Sequence, residues 1–306
     1  MIKLRTEIEH NRLKQLIAPG DNLFFVGSCF TDHIGSWLGS LWLPVTCNPW
    51  GVLFNPASIA RSLSRAASPD RDYSPPVAPD VQSGIFYSFD HHGQFSSPDR
   101  EALISQIADA ESQASAQFSA ARHVFVTLGT AWVYEHDGQV VANCHKFPAS
   151  QFTRRMLSVD EIVTLFLPLI GQKHWLFTVS PIRHVRDGLH ANQLSKATLL
   201  LAIHRLCEQF PGQVEYVPVY ELFLDDLRDY RFYADDLVHP SSQGVMFVRQ
   251  LLSDCCFSDS MRSFVAEAES IRRAFGHRPS NPGSPGHQEF LRQTQLRLER
   301  LQQKSC

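Results

Sequence analysis

The chain has 306 residues, 43% of them hydrophobic, with a formal net charge of −3 and an isoelectric point near 6.5. That is enough apolar material for one large domain with a full core, and without a basic excess nucleic acid is excluded as the expected partner. The opening stretch, MIKLRTEIEHNRLKQLIAPG, lacks the continuous apolar core of a signal peptide, and no run approaches the roughly twenty apolar residues of a membrane span; a cytoplasmic location is expected.

In chain order, Asn22–Val26 is a short apolar run that ends at Gly27, the pattern of a buried strand entering a turn. Apolar residues at Ile34, Trp37, Leu38 and Leu41 predict a helix over Thr31–Leu43. Residues 66–98 are rich in Ser, Pro and Asp and predict an insertion near the site rather than a domain. Helices are predicted at Asp99–Ala121 and Val159–Ile170, each leading into an apolar run, His123–Leu128 and Trp175–Val179. A long helix, Asn192–Gln209, a short strand, Val214–Val217, and a helix over Gln243–Cys256 follow. The stretch GHRPSNPGSPGH at 276–287 reads as a linker, and Gln288–Gln303 as an amphipathic helix that docks back on the body or pairs with a second copy of the chain. This divides the chain into a main domain, 1–275, and a tail, 276–306. Strands alternating with helices predict an α/β fold, a parallel sheet covered on both faces. Ligands then bind beyond the carboxyl ends of the strands, where Gly27, Gly129, Ser180 and Pro218 stand.

Two stretches carry chemistry. Ser28 and Cys29 lie between a strand end and a helix start, where free N–H groups and positive potential lower a thiol's pKa and hold an oxyanion. Gly27-Ser28-Cys29 equally suits a tight turn with a helix cap. Near the other end, Asp236 and His239 are three apart, so one turn lets the carboxylate orient the imidazole as a general base; a capping turn with a surface histidine has the same pattern. Arg183, His184, Arg186 and Lys196 cluster at a strand end and helix start. They suit an anionic substrate group, or ion pairs with Asp187, Asp226 and Asp229. His91, His92 and His145 lack metal-ligand spacing, so no metal and no cofactor is expected. Seven cysteines with no short repeated spacing suit reduced thiols.

Together the two stretches resemble the SGNH/GDSL hydrolases, whose Gly-Asp-Ser-Leu-Thr-Asp turn aligns with Gly27-Ser-Cys-Phe-Thr-Asp32 and whose Asp-x-x-His-Pro aligns with Asp236-Leu-Val-His-Pro240. The chain is similar in more detail to the GSCFA family, an SGNH-like group. Asn48-Pro-Trp-Gly-Val-Leu-Phe-Asn-Pro56, Gly129-Thr-Ala-Trp-Val-Tyr134, Val141-Ala-Asn-Cys-His-Lys146, Ser180–Gly188, Asn192–Lys196 and Asp226–Tyr233 carry that resemblance. It implies an SGNH-hydrolase-like (flavodoxin-like) sheet. It also implies a triad of Cys29, His239 and Asp236, with Cys29 where the hydrolases have the nucleophilic Ser and Ser28 where they have Asp. The implied oxyanion donors are the N–H groups of Cys29 and Gly51; Ala131 stands where an Asn is due, leaving Asn143, Thr130 or His145, with Asn143 preferred. Arg183, His184 and His145 are the expected substrate-binding side chains.

The expectation is therefore an acyl-transfer enzyme, esterase, thioesterase or acyltransferase, working through an acyl-Cys29 intermediate on a small-molecule or carrier-bound, anionic substrate. Cys29 is expected to be partly ionised at neutral pH. The rivals are an SGNH-fold binding or scaffold protein with a weakened site, and a serine hydrolase using Ser28.

Overall fold

The computed structural model describes residues 6–68, 73–80 and 82–303; residues 1–5 of the opening stretch, 69–72 and 81 of the expected insertion, and 304–306 of the tail lie outside that description. The first apolar run forms β1 (Leu23–Gly27), buried along its whole length. A strand covered on both faces needs no polar alternation. Leu23 and Phe25 face one core layer and Phe24 and Val26 the other.

Four more strands join β1 in parallel: β2 (Val45–Cys47), β3 (His123–Leu128), β4 (His174–Val179) and β5 (Val214–Tyr216). Their order is β5-β4-β3-β1-β2. The expected parallel α/β sheet is present, in the 2-1-3-4-5 order of doubly wound sheets, with a topological switch between β1 and β3. Helices α1 (Cys29–Gly39), α6 (Ser242–Cys256) and α7 (Asp259–Phe275) cover one face, through Ile34, Leu38, Val248 and Ile271. Helices α2 (Pro56–Ala67), α3 (Arg100–Ala120), α4 (Val159–Phe166) and α5 (Leu189–Gln209) cover the other, through Ile59, Phe118, Phe166 and Leu199.

The C-terminal helix, α8 (Pro285–Gln302), docks back on the body: Leu298 and Leu301 are buried in the layer that contains α7, and Arg297 pairs with Glu267. No described helix is long and apolar enough to cross a membrane.

Two antiparallel sheets of three strands each were not anticipated as sheets. One, Val77–Pro79, Phe86–Ser88 and Ser96–Ser97, lies in the expected insertion. It is clipped to α2 and α3 by a half-buried polar network. In it Arg61 and Arg65 pair with Asp90, Arg65 pairs with Glu111, and Tyr73 donates to Asp90. His91 lies buried in the same network, its Nδ1 2.7 Å from Ser88 Oγ. The other sheet, Trp132–His136, Gln139–Val141 and Thr153–Met156, follows directly on β3 and overhangs the sheet's carboxyl edge.

Candidate active site

The turn after β1 is built by sterics and one hydrogen-bonded brace. Gly27 has φ +145°, and a Cβ there would lie 2.2 Å from Thr127 O, so only glycine lets β1 pass so close to β3. Asn48 holds the turn from the other side. Its Oδ1 accepts from Gly27 N at 2.9 Å and its Nδ2 donates to Asp32 Oδ1 at 2.6 Å. Cys29 then opens α1, and its sulfur faces the unpaired N–H groups of Cys29 and Phe30.

Ser28 is 1% exposed, its Oγ has no partner, and it makes no side-chain cap bond. Cys29 is half-buried and lines a cleft of about 590 Å³ at the carboxyl edge of the sheet; Ser28 does not. The serine reading of the turn is therefore corrected: its hydroxyl is sealed from the cleft.

His239 lines the same cleft. Its Nδ1 lies 2.5 Å from Asp236 Oδ2, while Asp236 Oδ1 accepts from the N–H groups of Val238 and His239, both at 2.9 Å. Those backbone bonds, then the imidazole, hold the Asp236 carboxyl down to about 2. An ionised acceptor at Nδ1 leaves Nε2, which has no hydrogen-bond partner among the described residues, free to take a proton in the cleft. No hydrogen bond joins Cys29 Sγ to His239 among the described residues. The loop is further fixed by Arg183, which donates to Leu237 O and lies over the rings of Tyr230 and Tyr233 at 5.3 and 4.8 Å. Leu237 takes φ +57° and stays exposed.

The remaining expected residues divide. Asn143 lines the cleft, and its Oδ1 accepts from His145 N at 2.9 Å. That bond fixes the amide's orientation and leaves Nδ2 a donor without a partner among the described residues. Gly51 does not line the cleft: its N–H is donated to Asn48 O at 2.8 Å, and its Cα faces His92. It is not available as an oxyanion donor. Thr130 lines the cleft, yet its hydroxyl is engaged with Ser195 Oγ and Trp132 N. Ala131 is buried and its N–H goes to Ser195.

His145 lies outside the cleft, with Nε2 2.7 Å from Ser88 O and its ring stacked on Tyr87 at 4.9 Å. It supports the wall and is not placed to bind substrate. His184 does line the cleft, but burial, then Lys196 and Arg154, hold its imidazole down to about 4. It is neutral at pH 7 and offers polarity without charge.

The cations at the cleft are Arg183, Arg186 and Arg154. Arg154 pairs with Asp187 and lies 4.0 Å over the Trp132 ring; Arg186 has no ion pair among the described residues. Arg154 and the wall strands around it escaped the sequence reading, although Asp137-Gly138 between two alternating runs is a strong hairpin signal. The described residues of the insertion at 66–98 do not line the cleft; they support the wall from behind, where Ala142 N donates to Phe89 O at 2.7 Å. Two further hollows hold none of the expected site residues.

Electrostatics correct the expectation of a low thiol pKa. Burial, then the Asp32 carboxylate, push the Cys29 thiol up, while the helix N–H groups and Lys196 pull it back only in part. That balance favours the thiol over the thiolate. Lys196, expected in a substrate-facing cluster, is instead fully buried and does not line the cleft.

Residues 22–251 match the family model described as GSCFA family, and residues 268–305 match the one described as GSCFA domain protein, C-terminal domain. No curated protein and no solved structure matches the chain.

Proposed function

The chain belongs to the GSCFA family, and from that premise we propose an acyl-transfer enzyme of SGNH-like design, with Cys29 as nucleophile, His239 as base and then acid, and Asp236 as the orienting carboxylate. The observation that carries the reading is the shared cleft. A half-buried thiol at a helix N-terminus and an Asp-oriented histidine with a free Nε2 come from opposite ends of the chain and line one hollow.

In this reading Cys29 Sγ attacks an ester or thioester carbonyl as its proton passes to His239 Nε2. The C–O or C–S bond breaks as the leaving group takes that proton, and an acyl thioester on Cys29 remains. Water or another nucleophile then releases the acyl group. Developing negative charge on the carbonyl oxygen is met by the Cys29 N–H and by Asn143 Nδ2. A thiol nucleophile favours thioester donors, since the acyl-enzyme is itself a thioester. Arg183, Arg186 and Arg154 suit a carboxylate or phosphate on the substrate.

The test is a panel of acyl esters and acyl thioesters, followed by intact mass in a single turnover. One acyl adduct per chain, mapped to Cys29, is the expected result; no adduct from any donor contradicts it. A second reading, a binding or scaffold protein, draws on the engaged Gly51 N–H and on Ala131. It expects the cleft to retain acyl compounds without forming any covalent adduct.

A further inference from the structure

Leu237 is the outlier of the His239 loop. Its φ is +57° and its side chain is 51% exposed. Glycine and asparagine adopt that left-handed conformation readily; a leucine adopts it against a clash between its Cβ and the backbone. Burial does not offset that cost, because half of the residue faces solvent. The turn asks only for a left-handed residue before Val238, so the apolar side chain has another use.

Leu237 does not stand alone at the mouth of the cleft. Arg183 donates to its carbonyl and lies over the Tyr230 ring at 5.3 Å, which ties the loop after β4 and the His239 loop into one side of the mouth. Tyr230 is 60% exposed, and Val185, 47% exposed, lines the cleft together with Ile182 and Val238. Apolar surface therefore runs from Ile182 and Val238 inside the cleft, past Val185, to Leu237 and Tyr230 outside it. Exposed apolar surface continuous with a cleft marks a place where an apolar group binds.

We infer that this strip seats the alkyl chain of the substrate's acyl group. The carbonyl carbon stands at Cys29, and a straight chain leaves past Val238 and Val185 and lies on Leu237 and Tyr230. The inference rests on the reading of Cys29 as nucleophile and narrows its substrates to donors of extended acyl groups. The charges on the same loop favour a single neutral chain over an anionic membrane surface: Asp235 and Asp236 are exposed on either side of the turn, and Asp229 adjoins Tyr230.

The experiment measures binding of acetate, hexanoate and decanoate by calorimetry to the full chain carrying Cys29→Ala, with the carboxylate in the place of the acyl carbonyl. Affinity should rise about twofold for each methylene laid on the half-open lip, half the free-energy gain of full burial, so that decanoate binds roughly sixteenfold tighter than hexanoate. Adding Leu237→Gly or Val185→Ser should cut that ratio by about threefold or more. Leu237→Gly should not lower the urea midpoint, since glycine relieves the left-handed strain.

Equal affinities along the series, or a ratio that neither substitution changes, overturn the inference. A lower urea midpoint in Leu237→Gly gives the leucine a structural role and overturns it as well. Attachment to anionic vesicles without affinity for the free carboxylates makes the strip a membrane contact instead. Acylation of the wild type reads separately. Chain-length-dependent binding with no adduct on Cys29 keeps the lip and sinks the acyl-transfer reading, and adducts formed equally fast from acetyl and decanoyl thioesters do the reverse.

Discussion

Cys29 sits between opposing influences within a few residues of itself. The helix N–H groups favour its thiolate, and Asp32, one turn on, opposes it. Asp32 also accepts the bond from Asn48 Nδ2 that braces the turn, so the same carboxylate shapes the site and restrains the sulfur. Asp32→Asn should keep the brace through the amide oxygen and remove the charge. Alkylation of Cys29 at neutral pH should then speed up several-fold; slower or equal alkylation in a folded variant would contradict this balance. At residue scale Cys29, Asp236 and His239 stood out because nucleophile and base chemistry needs those types at turns, and the structure brings Cys29 and His239 to one cleft with Asp236 against the imidazole. Ser28 stayed open because exposure of one of two neighbours depends on helix phase, and the structure turns its hydroxyl inward. Lys196 was read into a substrate-facing cluster with Arg183, His184 and Arg186, because a single sequence does not show that α5 buries it against two strand ends.

Among the elements, β1, β3, β4 and the long helices were legible because buried parallel strands read as unbroken apolar runs. Helix α2 was not, since PASIARSLSRAA is rich in small residues; its signal is Asn55 as N-cap followed by Pro56 at the first turn. The wall sheet was missed although Asp137 and Gly138 have φ of +50° and +74°, the paired left-handed geometry of a tight hairpin. The turn after β1 makes the strictest demand on sequence. Gly27→Ala would place a methyl group against Thr127 O in a backbone conformation foreign to L-residues. It should destabilise the protein by roughly 2–5 kcal/mol, read as a lowered urea midpoint; a loss under 1 kcal/mol would show that the turn can relax.

For the molecule as a whole, the end of the chain is less separate than its linker composition suggests. Leu298 and Leu301 share a core layer with α7 and α1, and the second family match begins inside α7, at residue 268. Removing residues after Gly276 should lower thermal stability yet leave the pH profile of Cys29 alkylation in place; a folded truncated chain with a changed profile would make α8 part of the site. At the opposite end of the sheet, burial pushes Asp21 and Glu215 up, but His123 and His174 and backbone N–H groups outweigh it, and both carboxyls end below their usual range. Their contribution is therefore full above the ordinary carboxyl pKa and is lost as pH falls through the folded values. Melting temperature should drop below about pH 4, and Asp21→Asn should flatten that drop; an equally steep drop would remove Asp21 from the account. The claim that joins all scales is that residues 29 and 239 act on one acyl group. It is tested most directly by single-turnover acylation with a reactive thioester in wild type, Ser28→Ala, Cys29→Ser, His239→Ala and Asp236→Ala. An adduct mapped to Cys29 is expected, unaffected by Ser28→Ala, absent in Cys29→Ser, slowed about 10²–10⁴-fold in His239→Ala and slowed less in Asp236→Ala. Acylation that survives His239→Ala at full rate, or maps to another residue, would contradict it.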